Sequence, residues 1–176
     1  MSTSYFEFYN LEEQFFIDES SLKQTYLKLS KEHHPDFYID DEEKYDAALE
    51  LTSTNNMAFK VLKSLDNRIP YILRLNNTLT DKDNNLPSEF LMEMMDVNEE
   101  IMDLKMDFDA DKLRRVKNQV DGLSQEWNQK IKSLAKLADS QKGEERGYTL
   151  KKIKEFYLKR KYVLRLIESL NTFAPH

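Results

Sequence analysis

The sequence contains no cysteine, which excludes disulfides, thiolate zinc sites, a cysteine nucleophile and any metal–sulfur cluster held by the chain's own sulfur. Glycine and proline are nearly as scarce, with three glycines (Gly122, Gly143, Gly147) and four prolines (Pro35, Pro70, Pro87, Pro175) among 176 residues. Tight β-turns draw on those two residues, so their shortage, together with 33% charged residues, favours long helices and an all-α class. No apolar run approaches the roughly 18 residues of a membrane span. The opening Met1-Ser2-Thr3-Ser4-Tyr5-Phe6-Glu7 lacks the basic-plus-apolar plan of a leader. A cytoplasmic protein with no membrane contact is the expectation. Acidic residues outnumber basic ones by 32 to 26, for a net charge of −6, and no dense lysine or arginine run offers a footprint for nucleic acid.

What is present is helical periodicity. After an aromatic opening (Tyr5, Phe6, Phe8, Tyr9, Leu11), the pair Ser20-Ser21 offers an N-cap to a helix with Leu22, Tyr26 and Leu29 on one face. That helix has to stop near His33-His34-Pro35, because the residue before a proline is pushed out of the α conformation. His34-Pro35-Asp36 is then an interhelical loop. A long helix is predicted from about Asp41 to Leu65, with early acids at the positive end of its dipole and Tyr45, Ala48, Leu49, Thr52, Phe59 and Leu62 facing one side. A shorter helix over residues 67–76 carries Ile69, Tyr71, Ile72, Leu73 and Leu75, with Pro70 tolerated in its first turn. The polar stretch that follows reads as a linker. The expected organisation is therefore a first domain over 1–76, a linker over 77–87 and a second domain over 88–176.

Three helices are predicted in the second domain, over residues 88–106, 110–139 and 148–172, the last two joined by a loop holding Ser140, Gly143 and Gly147. In the middle one, Leu113, Val116, Val120, Leu123, Trp127, Ile131 and Leu134 recur at steps of three and four, the spacing of a buried seam. A three-helix bundle buries all three stripes. The first of these helices has two faces. Phe90, Met94, Val97, Ile101 and Leu104 fall within about 80° of one another and make the core stripe. Leu91, Met92, Met95, Asp96, Glu99 and Asp103 occupy another sector, where adaptable thioethers and acids together suit either a docking surface for a basic partner or packing against a neighbouring helix.

The His34-Pro35-Asp36 tripeptide, with Tyr26-Leu27-Lys28-Leu29 before it and Asn56, Ala58, Phe59, Leu62, Arg68, Tyr71 and Leu73 after it, resembles the J-domain pattern. The segment from Phe90 to Asp103 resembles the first bundle helix of HscB-type co-chaperones of iron–sulfur cluster assembly. The resemblance spans nearly the whole chain, although Phe37 stands where J-domains often place a lysine. It implies an N-terminal J-domain, built as an antiparallel helical hairpin with short flanking helices, and a C-terminal three-helix client-binding bundle.

It further implies a co-chaperone with no enzymatic reaction, cofactor or metal of its own, which stimulates a DnaK/HscA-type ATPase chaperone and brings it an IscU-like iron–sulfur scaffold protein. By that resemblance His34, Pro35 and Asp36 dock on the ATPase. Pro35 stiffens the loop, Asp36 can meet an arginine in a charge-assisted pair, and Lys23, Lys28 and Lys31 on the preceding helix steer toward an acidic patch. The scaffold would be held by Leu91, Met92, Met95, Asp96, Glu99 and Asp103, joined by Tyr162, with Tyr157 as the alternative aromatic. Tyr162 is expected to point away from a last-helix stripe of Ile153, Tyr157, Leu164 and Ile167. Three rival readings stand beside this one: an interaction adaptor with a different client or no chaperone partner, an enzyme using the scattered carboxylates for metal or acid–base chemistry, and a metal site built from His33 and His34 with Asp36, Asp40 or Asp41.

Overall fold

The computed structural model describes residues 3–173. The terminal residues 1–2 and 174–176, which include the outer ends of the two expected domains, lie outside the described residues. Every element among the described residues is a helix, and they divide into two compact units, Met1–Asn76 and Asn77–His176. No helix is long and apolar enough to cross a membrane among the described residues.

In the first unit, α1 (Tyr5–Phe8) is closed by a reciprocal cap: the Ser4 hydroxyl accepts from the Glu7 N–H at 3.2 Å while the Glu7 carboxylate accepts from the Ser4 N–H at 2.7 Å. Next comes α2 (Glu19–Glu32), whose N-cap is Asp18 and not the Ser20-Ser21 pair. One Asp18 carboxylate oxygen accepts from both Ser20 N–H at 2.9 Å and Ser21 N–H at 3.1 Å. A carboxylate satisfies two orphan donors and complements the helix dipole at once, so it starts the helix ahead of the serines.

A single 3-10 turn, Pro35–Tyr38, leads to α3 (Glu42–Leu62), capped by Asp41, and then to α4 (Leu65–Leu75). Because α4 begins at Leu65, Pro70 sits in its second turn and not in the first as expected. Leu49, placed on the inner face of α3 by periodicity, is exposed, and Asn55 and Ala58 are buried there instead.

Aromatic contacts and two buried polar groups hold α2, α3 and α4 together. Tyr26 stacks on Phe59 with ring centroids 4.2 Å apart, joining α2 to α3. The Asn55 amide donates to the Tyr26 carbonyl at 3.1 Å and to Ser30 Oγ at 2.9 Å, and its oxygen accepts from the Tyr9 hydroxyl at 2.6 Å. Burial pushes the Tyr9 phenol well above its ordinary pKa, so this donor stays protonated. Arg68, only 1% exposed, donates from Nε to the Leu62 carbonyl at 2.9 Å, from Nη1 to the Phe15 carbonyl, and from Nη2 to Glu19 at 3.0 Å. A buried guanidinium is tolerable only when its fork is satisfied in this way.

The second unit is a three-helix bundle of α5 (Ser88–Met106), α6 (Ala110–Asp139) and α7 (Gly143–Asn171). Its core gathers Phe90, Met94, Val97, Ile101 and Leu104 of α5, Leu113, Val116, Val120 and Trp127 of α6, and Val163, Leu166 and Leu170 of α7. Phe90 meets Trp127 edge-on at 5.4 Å.

The predicted start of α7 is corrected from Tyr148 to Gly143. Gly143 takes φ +58, which suits glycine at the tight turn after α6, and Glu144 and Glu145 then occupy the favourable first turn. Gly147 is helical. Segment 77–87 is not a free tether: Leu79 is buried, Leu86 packs on the bundle core, and Asp83 pairs with Lys154 of α7 at 2.6 Å.

Candidate functional site

The first candidate surface is the end of α2. His34 sits at φ −69, ψ 128, the extended geometry that a following proline requires, which stops α2 at Glu32. Pro35 opens the 3-10 turn, where its missing N–H has no helical partner to lose. Its ring is buried, whereas the His34 and Asp36 side chains are 53% and 75% exposed. His34 Nδ1 accepts the Asp36 N–H at 3.3 Å and lies 3.5 Å from Asp36 Oδ2. A neutral His34 with Nδ1 accepting carries its proton on Nε2 and offers it as a donor.

The Thr52 hydroxyl of α3 donates to the His33 carbonyl at 3.2 Å, tying this turn to the hairpin. The exposed Phe37 ring stands edge-on to His34 at 6.1 Å. Lys23, Lys28 and Lys31 are all exposed on α2, spread over about 140° of its circumference with Lys31 between the other two. Among the described residues no group of three or more His, Cys, Asp or Glu side chains is placed to hold a metal ion, so His33, His34, Asp36, Asp40 and Asp41 do not converge as ligands.

The second candidate surface is the outer side of α5, in the bundle. Phe90, Met94, Val97, Ile101 and Leu104 are buried, and Leu91, Met92, Met95, Asp96, Glu99 and Asp103 are all exposed. The same helix thus spends one face on the core and presents thioethers and carboxylates on the other. The acidic side of that face meets α6, where Asp103 takes an ion pair from Lys112 at 2.7 Å and Glu100 lies 3.7 Å from Arg115.

The other side meets α7 at Tyr162. Asn98 donates to the Tyr162 hydroxyl at 2.9 Å, and Phe90 meets the same ring edge-on at 5.5 Å. Tyr162 is half-buried, packed on the bundle core beside Leu91 and not standing in solvent. The expected α7 stripe needs correction too. The buried line is Leu150, Ile153, Val163, Leu166 and Leu170, with Tyr157, Leu164 and Ile167 only partly covered, so the C-terminal half of α7 turns a different edge to the core than the expected stripe.

Between Leu91 and Tyr162 opens a pocket of about 360 Å³, also lined by Leu86, Leu158, Lys161 and Arg165. The two cations give it a positive rim beside an apolar floor. Sequence reasoning missed Lys161 and Arg165, although a basic pair at i and i+4 on α7 was the available signal. It also stopped the exposed face of α5 at Asp103, while Met102 and Met106 are exposed on the same helix.

The family model described as the HSCB C-terminal oligomerisation domain matches residues 86–171, a span that runs from just before α5 to the end of α7. A co-chaperone protein HscB homolog of Neisseria meningitidis serogroup A is 31% identical over 123 residues, covering 67% of this chain and 73% of that protein. The HscB homolog of Acinetobacter baylyi is 32% identical over 126 residues, covering 70% and 71%. Among solved structures, chaperone HscB from Vibrio cholerae superposes with a TM-score of 0.69 at 22% identity, over 96% of both chains. Human co-chaperone protein HscB gives 0.72 at 22% identity, over 96% of this chain and 81% of that one. Those two structures share the fold of an N-terminal J-like unit followed by a helical bundle. With relatives this similar over this much of their length, the chain belongs to the HscB co-chaperone family.

Proposed function

We infer that this chain is a targeting co-chaperone of the cytoplasm. His34, Pro35 and Asp36, with Lys23, Lys28 and Lys31 beside them, engage a DnaK/HscA-type ATPase and favour its hydrolysis-competent state. Leu91, Met92, Met95, Asp96, Glu99 and Asp103, bordered by Tyr162, hold an IscU-like scaffold protein whose iron–sulfur cluster is the cargo. The protein breaks no bond itself. Carrying both surfaces on one chain raises the effective concentration of the client at the chaperone.

One observation carries this reading: a structured His34-Pro35-Asp36 turn whose two polar members face solvent shares a chain with an exposed thioether and carboxylate face on a bundle helix. Asp36 is free to swing toward a partner arginine at small entropic cost, since Pro35 already fixes the backbone. The thioethers adapt to an irregular apolar contour, and the flanking acids select a basic one.

The test is the steady-state ATPase rate of the chaperone with co-chaperone alone, with scaffold alone and with both. Stimulation is expected from the co-chaperone, and a larger one when the scaffold is added. His34→Gln is expected to remove it, and an intact response in that variant defeats the assignment. A Leu91→Ala/Met92→Ala/Met95→Ala variant that binds the scaffold with unchanged affinity means the client face is elsewhere.

A further inference from the structure

The exposed face of α5 is longer than the set of residues assigned to the scaffold. Met102 and Met106 are 63% and 88% exposed, and at about 100° per residue they fall within about 80° of Met92 and Met95. The four thioethers form one stripe about 21 Å long, on the side of α5 away from its buried residues. Phe108 adds a further exposed apolar side chain just past the helix end. Such a run of large apolar side chains on a chain whose surface is otherwise heavily charged marks an interaction face.

Charge selects what covers it. Asp96, Glu99 and Asp103 follow one edge of the stripe, and Asp103 is already paired with Lys112, so Asp96 and Glu99 give that edge its sign. A second copy laid antiparallel on this helix would set acidic edge against acidic edge, a repulsion added to the chain's net charge of −6. A helix with an apolar face and lysines or arginines along one edge meets both features.

We propose that Met102 and Met106, with Phe108 at the tip, are the second half of the client-docking face, and that the full stripe takes a basic-edged amphipathic helix of the scaffold about four turns long. The proposal rests on the client reading above. It adds that the contact runs past Asp103 to the end of α5.

The experiment is a calorimetric titration of the purified, cluster-free scaffold into the full chain, comparing wild type, Met102→Gln/Met106→Gln and the Leu91/Met92/Met95 triple-alanine variant. Circular dichroism melts check that each variant is folded. The double variant is expected to bind at least about tenfold more weakly than wild type, as the loss of two interface anchors implies. Affinity is also expected to fall as salt is raised, and Asp96→Asn/Glu99→Gln to flatten that dependence.

A double variant within about twofold of wild type, while the triple variant fails to bind, overturns the extension and leaves the client reading intact. Wild type that does not bind the scaffold removes both. A wild-type dimer in sedimentation that the double variant abolishes also overturns the proposal, because a second copy then covers the stripe.

Discussion

Asn98 of α5 reaches Tyr162 of α7 with its side-chain amide, 2.9 Å from the phenol oxygen, while the same amide donates to the Met94 carbonyl one turn back. The bond fixes where α7 crosses α5, next to the mouth of the pocket floored by Leu91. Tyr162→Phe keeps the ring packed against Phe90 and removes only the hydroxyl that accepts from Asn98. It is expected to lower stability by about 1 kcal/mol, read in a urea melt. An unchanged urea midpoint would show that the bond contributes nothing to the α5–α7 crossing.

Asp83 gives a pH dependence with a definite sign. The hydrogen bond from Lys154, aided by those from Thr80, holds its carboxyl down at about 2, well below the ordinary aspartate value. A depressed folded-state pKa stabilises the fold above the unfolded-state value near 4, and that contribution drains away as pH falls toward 2. Thermal melts of wild type and Asp83→Asn should therefore differ at pH 6 and converge as the pH is lowered through this window. A difference that stays constant down to pH 2 would contradict the pairing.

Gly147 lies inside α7 with nothing within 4 Å of the position a β-carbon would take. Gly147→Ala removes backbone freedom from the unfolded chain without a clash. A gain of about 0.5–1 kcal/mol in chemical denaturation is expected. The same change at Gly143, held at φ +58, is expected to destabilise.

Arg68→Leu strips the Leu62 and Phe15 carbonyls of a common donor and releases Glu19. Because two carbonyls are left buried without that partner, a loss of about 2–4 kcal/mol is expected from the first unit, seen as a lowered midpoint in guanidinium. Arg68→Lys recovers little of it, since a point charge cannot span three acceptors.

The helices with one uninterrupted seam were the most legible. α5 and α6 run over the residues their periodicity predicts, and every member of the α5 core stripe is buried. Boundaries set by local hydrogen bonding were less so. Asp18 outcompeted the serines for the α2 cap, and Gly143 and Gly147, read as a loop, turned out to close one and lie within α7. The Asn55 and Arg68 hubs carry no periodic signal, because a buried polar side chain is defined by partners dozens of residues away, as Arg68 is by Phe15 and Glu19. Of the candidate sites, the exposure of Leu91, Met92, Met95, Asp96, Glu99 and Asp103 followed from helical angle alone. The half-burial of Tyr162 depended on the crossing of α7 over α5, which no single helix encodes.

Pro35 is the buried member of its turn, and His34 and Asp36 are the solvated ones. The residue that shapes the loop is therefore not among those that offer donors and acceptors, and the groups that offer them contribute little to the core. Under the proposed docking role, a substitution at Asp36 would retune recognition with little effect on melting behaviour. One at His34 would also remove the cap on the Asp36 N–H, and one at Pro35 would change the shape of the loop itself.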